Sequence, residues 1–286
     1  MKVLVIGDVV GKIGVDAVKK NLPDLKKKYD IDFTIVNGEN SADGMGITKN
    51  IMNDLYKSGA DVITMGNHTW GKKEIFSFID EEEKLIRPSN YAEGLPGKGK
   101  VLLDCKNKKI GVIDLIGRVN VGGNFDSPFE RADKDIVELK AKGADIIIVE
   151  IHAEATAEKI ALGYYLKDKA TIVYGTHTHV QTADEKIYET GMGYITDIGM
   201  TGPKDSIIGM EPAAALKRFL TQMPERYACA QGEAMLNGVV FEIDEQSKNV
   251  SKITRICLWV LKYKAFGRTI VKENELIRWI FLEFLI

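Results

Sequence analysis

Cysteine is scarce. The 286-residue chain has three, at Cys105, Cys229 and Cys257, with no C-x-x-C spacing among them. An odd, scattered set excludes a disulfide framework and a thiolate metal site, and is expected of reduced thiols in a cytoplasmic protein. An excess of one charge is also lacking. Lys and Arg number 39 against 41 Asp and Glu, for a net charge of −2, and the cations are dispersed among acidic residues. No basic stripe is present to hold an extended nucleic acid by its backbone, so any nucleotide partner is expected to be small. No segment has the length of a transmembrane helix. Residues 2–7 are too short for the apolar region of a secretory leader and run straight into Asp8. Internal repeats and low-complexity tracts are absent.

Hydrophobic residues make up 45% of the chain and charged residues 28%, near the averages for soluble globular proteins. The length suits one large α/β domain able to bury a full core. Apolar runs at residues 2–7, 33–37 and 61–65 read as strands, each closed by a glycine and a polar residue. Helical spacing links them: Val15, Val18, Leu22 and Leu25 mark a helix over 12–29 that Pro23 is expected to kink or divide. A second helix begins near Thr48, a good N-cap. A short acidic helix is expected at 73–83 and a hairpin at 100–105 and 109–116. Ser127 followed by Pro128 starts a helix reaching about residue 142. A buried strand at 146–151, a helix at 156–167 and a strand around 173 follow.

Strands dominate thereafter, at 186–189, 194–197, 238–243 and 250–256, with one helix near 212–221. Alternating βα units first and antiparallel strands later predict a sandwich of two mixed β-sheets flanked by helices. Domain 1–256 is expected to be followed by an apolar tail, 257–286, with helical spacing. That tail is expected to be a packed terminal helix or a homo-oligomer contact.

Histidine is also rare, with four in the chain, and each falls just after an apolar strand: His68, His152, His177 and His179. In an extended segment the spacing of His177 and His179 puts both imidazoles on one side. Asp8, Glu39, Asn40 and Asn67 occupy the same kind of position. Carboxylate and amide oxygens mixed with imidazoles, without thiolate, suit Mn²⁺, Fe²⁺ or Zn²⁺ rather than a structural zinc. The donors are too many for one ion. A carboxylate such as Glu39 can bridge two ions about 3.5–4 Å apart, as in two-metal hydrolases of phosphate esters.

The ordered set Gly7-Asp8, Gly38-Glu39-Asn40, Gly66-Asn67-His68, His152 and Gly175 to His179 resembles the calcineurin-like metallophosphoesterases, and among them the bacterial YmdB-like branch. The likeness covers residues 1 to about 256. Val10 stands where the wider superfamily has a histidine, and Glu39-Asn40 replaces its bridging aspartate; both are features of the branch. The resemblance implies a metallophosphoesterase-type sandwich and a dinuclear phosphodiesterase acting on 2′,3′-cyclic nucleotides through a metal-bridging hydroxide. Two divalent ions, Fe or Mn before Zn, would be held by Asp8, Glu39, Asn40 and His179 on one side and by Glu39, Asn67, His152 and His177 on the other. His68, left free of metal, would protonate the leaving oxygen.

Each signal alone has a plainer reading. His152 could be a core histidine, Asp8 a helix cap, and the glycines mere turn formers. The loop 41–46, with Ser41 and Gly44, is either a phosphate-contacting loop or a flexible connector. Arg118, ending a strand, either clamps a phosphate or forms a surface ion pair. A phosphomonoesterase and a metal-binding regulatory or RNA-associated protein are the rival functions. The joint placement of all four histidines at strand ends favours the enzyme.

Overall fold

The structure is a computed structural model and describes residues 1–226, 228–260 and 272–273. In chain order it begins with β1 (Lys2–Ile6), β2 (Asp8–Val9), α1 (Gly11–Tyr29), β3 (Phe33–Asn37), α2 (Lys49–Ser58), β4 (Val62–Thr64) and β5 (Leu85–Ile86). The hairpin β6 (Lys100–Cys105) and β7 (Lys108–Ile116) leads to α3 (Pro128–Ala141), β8 (Ile146–His152), α4 (Thr156–Leu166) and β9 (Ile172–Thr176). The chain continues through β10 (Lys186–Ile187), β11 (Gly193–Ile195), β12 (Met200–Pro203), α5 (Pro212–Thr221), β13 (Ala234–Ile243), β14 (Val250–Val260) and β15 (Lys272–Glu273).

Two mixed sheets result. One runs β15-β14-β13-β1-β3-β4-β5, with β12 joined to β13 and β2; the other runs β10-β11-β9-β8-β7-β6. In the first, β1, β3, β4 and β5 are parallel. In the second, β7, β8, β9 and β11 are parallel. The alternation of strand side chains builds the layers. Val3, Val5, Phe33 and Ile35 meet Val112, Ile148 and Ile172 of the opposite sheet in the central core. Leu4, Ile6 and Val36 face outward onto Val15, Val18, Leu22 and Leu25 of α1 and Met52 and Leu55 of α2. On the far side Ile113, Leu115, Ile147 and Val149 pack on Ile136 and Leu139 of α3 and Leu162 and Leu166 of α4. Each such side chain contributes about 1.5–3 kcal/mol by leaving water.

Local signals set the helix starts. Thr48 accepts from the Ile51 N–H and Ser127 from the Glu130 N–H, with Pro128 in the first turn. Pro23, however, does not divide α1, which runs unbroken for 19 residues. The lost backbone donor and ring clash cost about 3 kcal/mol, and the buried stripe on the sheet outweighs them. The expected acidic helix at 73–83 shrinks to a 3₁₀ turn, Lys73–Ser77, although Ile75, Phe78 and Ile79, at helical spacing, still reach the core. The late strands are not uniformly antiparallel: β11 pairs parallel with β9 and β12 with β2. The expected boundary at 256/257 falls inside β14, which continues to Val260 with Leu258 in the core. Residues 272–273 pair with β14 as a strand, and the rest of the expected helical tail lies outside the described residues. No helix among the described residues is long and apolar enough to cross a membrane.

Candidate metal centre

The carboxyl ends of the parallel strands of both sheets converge on one rim, the usual place for a site in such sheets. Asp8 follows β1, Glu39 and Asn40 follow β3, Asn67 and His68 follow β4, His152 ends β8, and His177 and His179 follow β9. Glu39 from the first sheet and His152 from the second are both buried, with Oε1 and Nε2 3.1 Å apart. Asn67 Oδ1 is 2.9 Å from the same Nε2, and His177 Nδ1 is 3.0 Å from it. Asn40 Nδ2 lies 3.0 Å from Glu39 Oε1 and 3.2 Å from His179 Nε2. Asp8 Oδ1 is 3.9 Å from His179 Nε2 and 3.8 Å from His152 Nδ1.

His177 and His179 do not lie in an extended strand as expected. The strand ends at Thr176, and the two histidines have φ of 93° and 65°, a region costly to non-glycine residues by about 1–3 kcal/mol each. A tight turn, rather than strand alternation, brings them inward. It is pinned by the His177 N–H donating to Asp8 Oδ2 at 3.2 Å and by Thr178, whose N–H and hydroxyl both donate to Asp197.

Hydrogen bonds at the periphery define which ring nitrogens face inward. His179 Nδ1 is 2.8 Å from the Ile208 carbonyl, which can only accept, so in the neutral ring Nε2 is the acceptor, facing Asn40 Nδ2. His177 Nε2 lies 3.1 Å from Glu154 Oε2, leaving Nδ1 toward His152. His68 Nδ1 is 2.8 Å from Asn40 Oδ1, and the His68 N–H donates to Glu39 Oε2 at 3.0 Å.

The electrostatics of the cluster are those of crowded charge. Burial lifts the Asp8 carboxyl to about 6 against the pull of His179 and His152. Burial would also raise Glu39, but the charge and hydrogen bonds of His152 and His68 hold it well below the ordinary range. Burial pulls His152 down, yet Glu39 and Asp8 outweigh it and lift the imidazole to about 9. Burial and the neighbouring His152 push His177 down to about 3.

The residues fit a cation. Asp8 Oδ1 is wholly buried and has no hydrogen-bond partner among the described residues, an expensive state for a carboxylate oxygen. Glu39, His152 and His177 each offer a donor atom within 4.8 Å of the others. Gly66 guards the space between them: a Cβ there would sit 2.5 Å from His152 Nε2 and against the Glu39 carboxylate.

Glu39, Asn40, His68, His177 and His179 line one wall of a cavity of about 430 Å³ that also exposes Gly44, Glu154, Ile208, Arg218 and Phe219, whereas Asp8, Asn67 and His152 are not part of its lining. Ser41 does not reach it: its side chain is buried and donates to the Gly38 carbonyl at 2.7 Å. Arg118 is exposed, with its N–H on Glu158, and is not among the lining residues. Glu154, Arg218 and Phe219 carry no motif that would have singled them out.

A two-sheet sandwich with this rim of carboxylate, amide and imidazole is the metallophosphoesterase architecture. Within that class the chain belongs to the YmdB-like proteins, whose family model matches residues 4–256. It is 52% identical over 258 residues to the 2′,3′-cyclic-nucleotide 2′-phosphodiesterase of Bacillus subtilis, covering 90% of this chain and 97% of that one. The crystal structure of a novel phosphatase from Mycoplasma pneumoniae matches with a TM-score of 0.85 at 36% identity, over 91% of this chain and 93% of the other. A Staphylococcus aureus structure described as a candidate 5′-nucleotidase shares the fold at 16% identity, with a TM-score of 0.59 over 89% of this chain and 53% of that one.

Proposed function

We propose that this chain is a phosphodiesterase that opens 2′,3′-cyclic nucleotides at the 2′ P–O bond, with two divalent ions as cofactors and His68 as general acid. The observation that carries the reading is a cation-ready cluster on one wall of a cavity large enough for a nucleotide, in a chain more than half identical to a phosphodiesterase named for that substrate. Asp8, Glu39, Asn40 and His179 would hold one ion, and Glu39, Asn67, His152 and His177 the other. Oxygen and imidazole donors suit Mn²⁺ or Fe²⁺ and also accommodate Zn²⁺. When bound, the ions supply Lewis acidity and lower the pKa of water.

The chain itself supplies position and a proton. The apolar side of the cavity, with Ile207, Ile208, Met210, Ala215 and Phe219, faces the polar cluster and suits a base, while Arg218 adds a cation for the phosphate. Water adds to phosphorus and the P–O2′ bond breaks, leaving a nucleoside 3′-phosphate and a 2′ oxygen that needs a proton. His68 lines the cavity, and its Nδ1–H is committed to Asn40 Oδ1. The transferable proton is therefore the one on Nε2 of the imidazolium.

Purified protein loaded with Mn²⁺ and given 2′,3′-cyclic AMP, with adenosine monophosphates and bis-nitrophenyl phosphate alongside, tests the reading. The expected product is adenosine 3′-phosphate, without further loss of phosphate. Preferred hydrolysis of the monophosphates would make it a phosphomonoesterase, and metal binding without turnover of any ester would make it a binding protein.

A further inference from the structure

Beneath the site lies a buried polar network that the proposed chemistry does not use directly. Glu150 on β8 is completely buried. It accepts from Asn37 Nδ2 at 2.6 Å, the Thr176 hydroxyl at 2.8 Å and the Tyr174 hydroxyl at 2.8 Å. Asn37 Oδ1 in turn accepts the Glu39 N–H at 3.2 Å. A carboxylate set between two apolar sheets costs several kcal/mol unless its lone pairs are satisfied, and well-packed apolar residues serve stability as well or better. Folding alone therefore gives no reason for it.

An inventory of hydrogens supplies one. Thr176 Oγ1 also lies 2.9 Å from His152 Nδ1. The threonine hydroxyl has one hydrogen, and Glu150 takes it, so the oxygen can only accept from His152. Nδ1 must then carry a hydrogen, and the lone pair of the neutral ring must lie on Nε2, the nitrogen that faces Glu39, Asn67 and His177. We propose that Glu150, acting through Thr176, is the positioning residue that holds His152 in the Nδ1–H form and so presents Nε2 to the metal. His179 and His177 are oriented by direct acceptors, the Ile208 carbonyl and Glu154; His152 is served by a relay of two side chains. Such outer partners typically change metal affinity about 10–100-fold. The inference rests on the metal-centre reading above.

The experiment replaces Thr176 by Val, which keeps size and β-branching but removes the hydroxyl, and by Ser, which restores it, with Glu150→Gln as a third variant. Titration with Zn²⁺ followed by calorimetry, and ¹⁵N shifts of the His152 ring in the Zn²⁺-loaded proteins, are read on folded samples. Thr176→Val is expected to bind one ion about 10–100-fold more weakly and to lose the single Nδ1–H signature, while Thr176→Ser restores both. Glu150→Gln, whose amide oxygen still accepts from Thr176, is expected to fall between them. If Thr176→Val does not fold, Thr176→Ala, which also lacks the hydroxyl, takes its place. Wild-type affinity and ring shifts in the variant without the hydroxyl would overturn the relay. A wild-type protein that binds no metal would instead sink the metal-centre reading.

Discussion

Lys159 and Asp197 form a wholly buried ion pair, Nζ to Oδ2 at 2.7 Å, and the same carboxylate oxygen receives the N–H and hydroxyl of Thr178 at 3.2 and 2.7 Å. Thr178 sits between the two histidines whose backbone is in the left-handed region. The ion pair therefore anchors a strained turn as well as the core. Removing one partner of a buried pair costs about 3–5 kcal/mol, or roughly 6–20 °C in a domain of this size. Both Asp197→Ala and Lys159→Met are expected to lower the thermal midpoint by that order. Asp197→Ala should also lose metal, because it frees Thr178; Lys159→Met should keep more. Metal content and melting curves check this, and equal metal loss in both would show that Asp197 has no separate hold on the turn.

Gly66→Ala is expected to abolish metal binding while leaving the fold intact. The added methyl would press on His152 Nε2 and Glu39, the space an ion needs, yet it removes no apolar contact from the core. Metal analysis alongside far-UV circular dichroism tests it. Full metal occupancy in this variant would mean that the cluster closes elsewhere.

His68→Ala should retain metal and separate two substrates by the quality of their leaving groups. A ribose alkoxide is a poor leaving group, so hydrolysis of a 2′,3′-cyclic nucleotide should fall by about 10²–10⁴-fold, and that of bis-nitrophenyl phosphate much less. Equal losses, or missing metal, would return His68 to the ligands.

Metal should stabilise the protein more strongly as pH rises. In the metal-free protein His152 titrates near 9, above its ordinary 6.5. A raised folded-state value contributes stability in full below 6.5 that is lost as pH climbs through 9. Metal takes the place of a proton on the ring, so its binding strengthens over the same window. The rise in melting temperature on adding Zn²⁺, relative to chelator, is expected to grow from pH 6.5 to 9. A constant rise across that range would remove His152 from the ligand set.

Much of this was legible along the chain. Apolar runs with period two announce strands, and a glycine followed by Asp, Asn or Glu marks where each ends. The rim residues Asp8, Glu39, Asn67 and His152, and the caps Thr48 and Ser127, could be placed from local pattern alone. Periodicity tells which face of an element is buried, but not which face of another element it will meet. Tertiary packing decided that Glu39 and His152, from different sheets, approach to 3.1 Å. It also decided that Asn37 reaches Glu150 across 113 residues, that Ser41 turns into its own loop, and that Arg118 stays outside the cavity. The backbone at His177 and His179 leaves the extended region because Asp8 and Asp197, remote in sequence, hold it there. Short-range sterics write the ends of strands into a sequence, whereas the partner of a buried polar group depends on long-range closure of the whole sandwich.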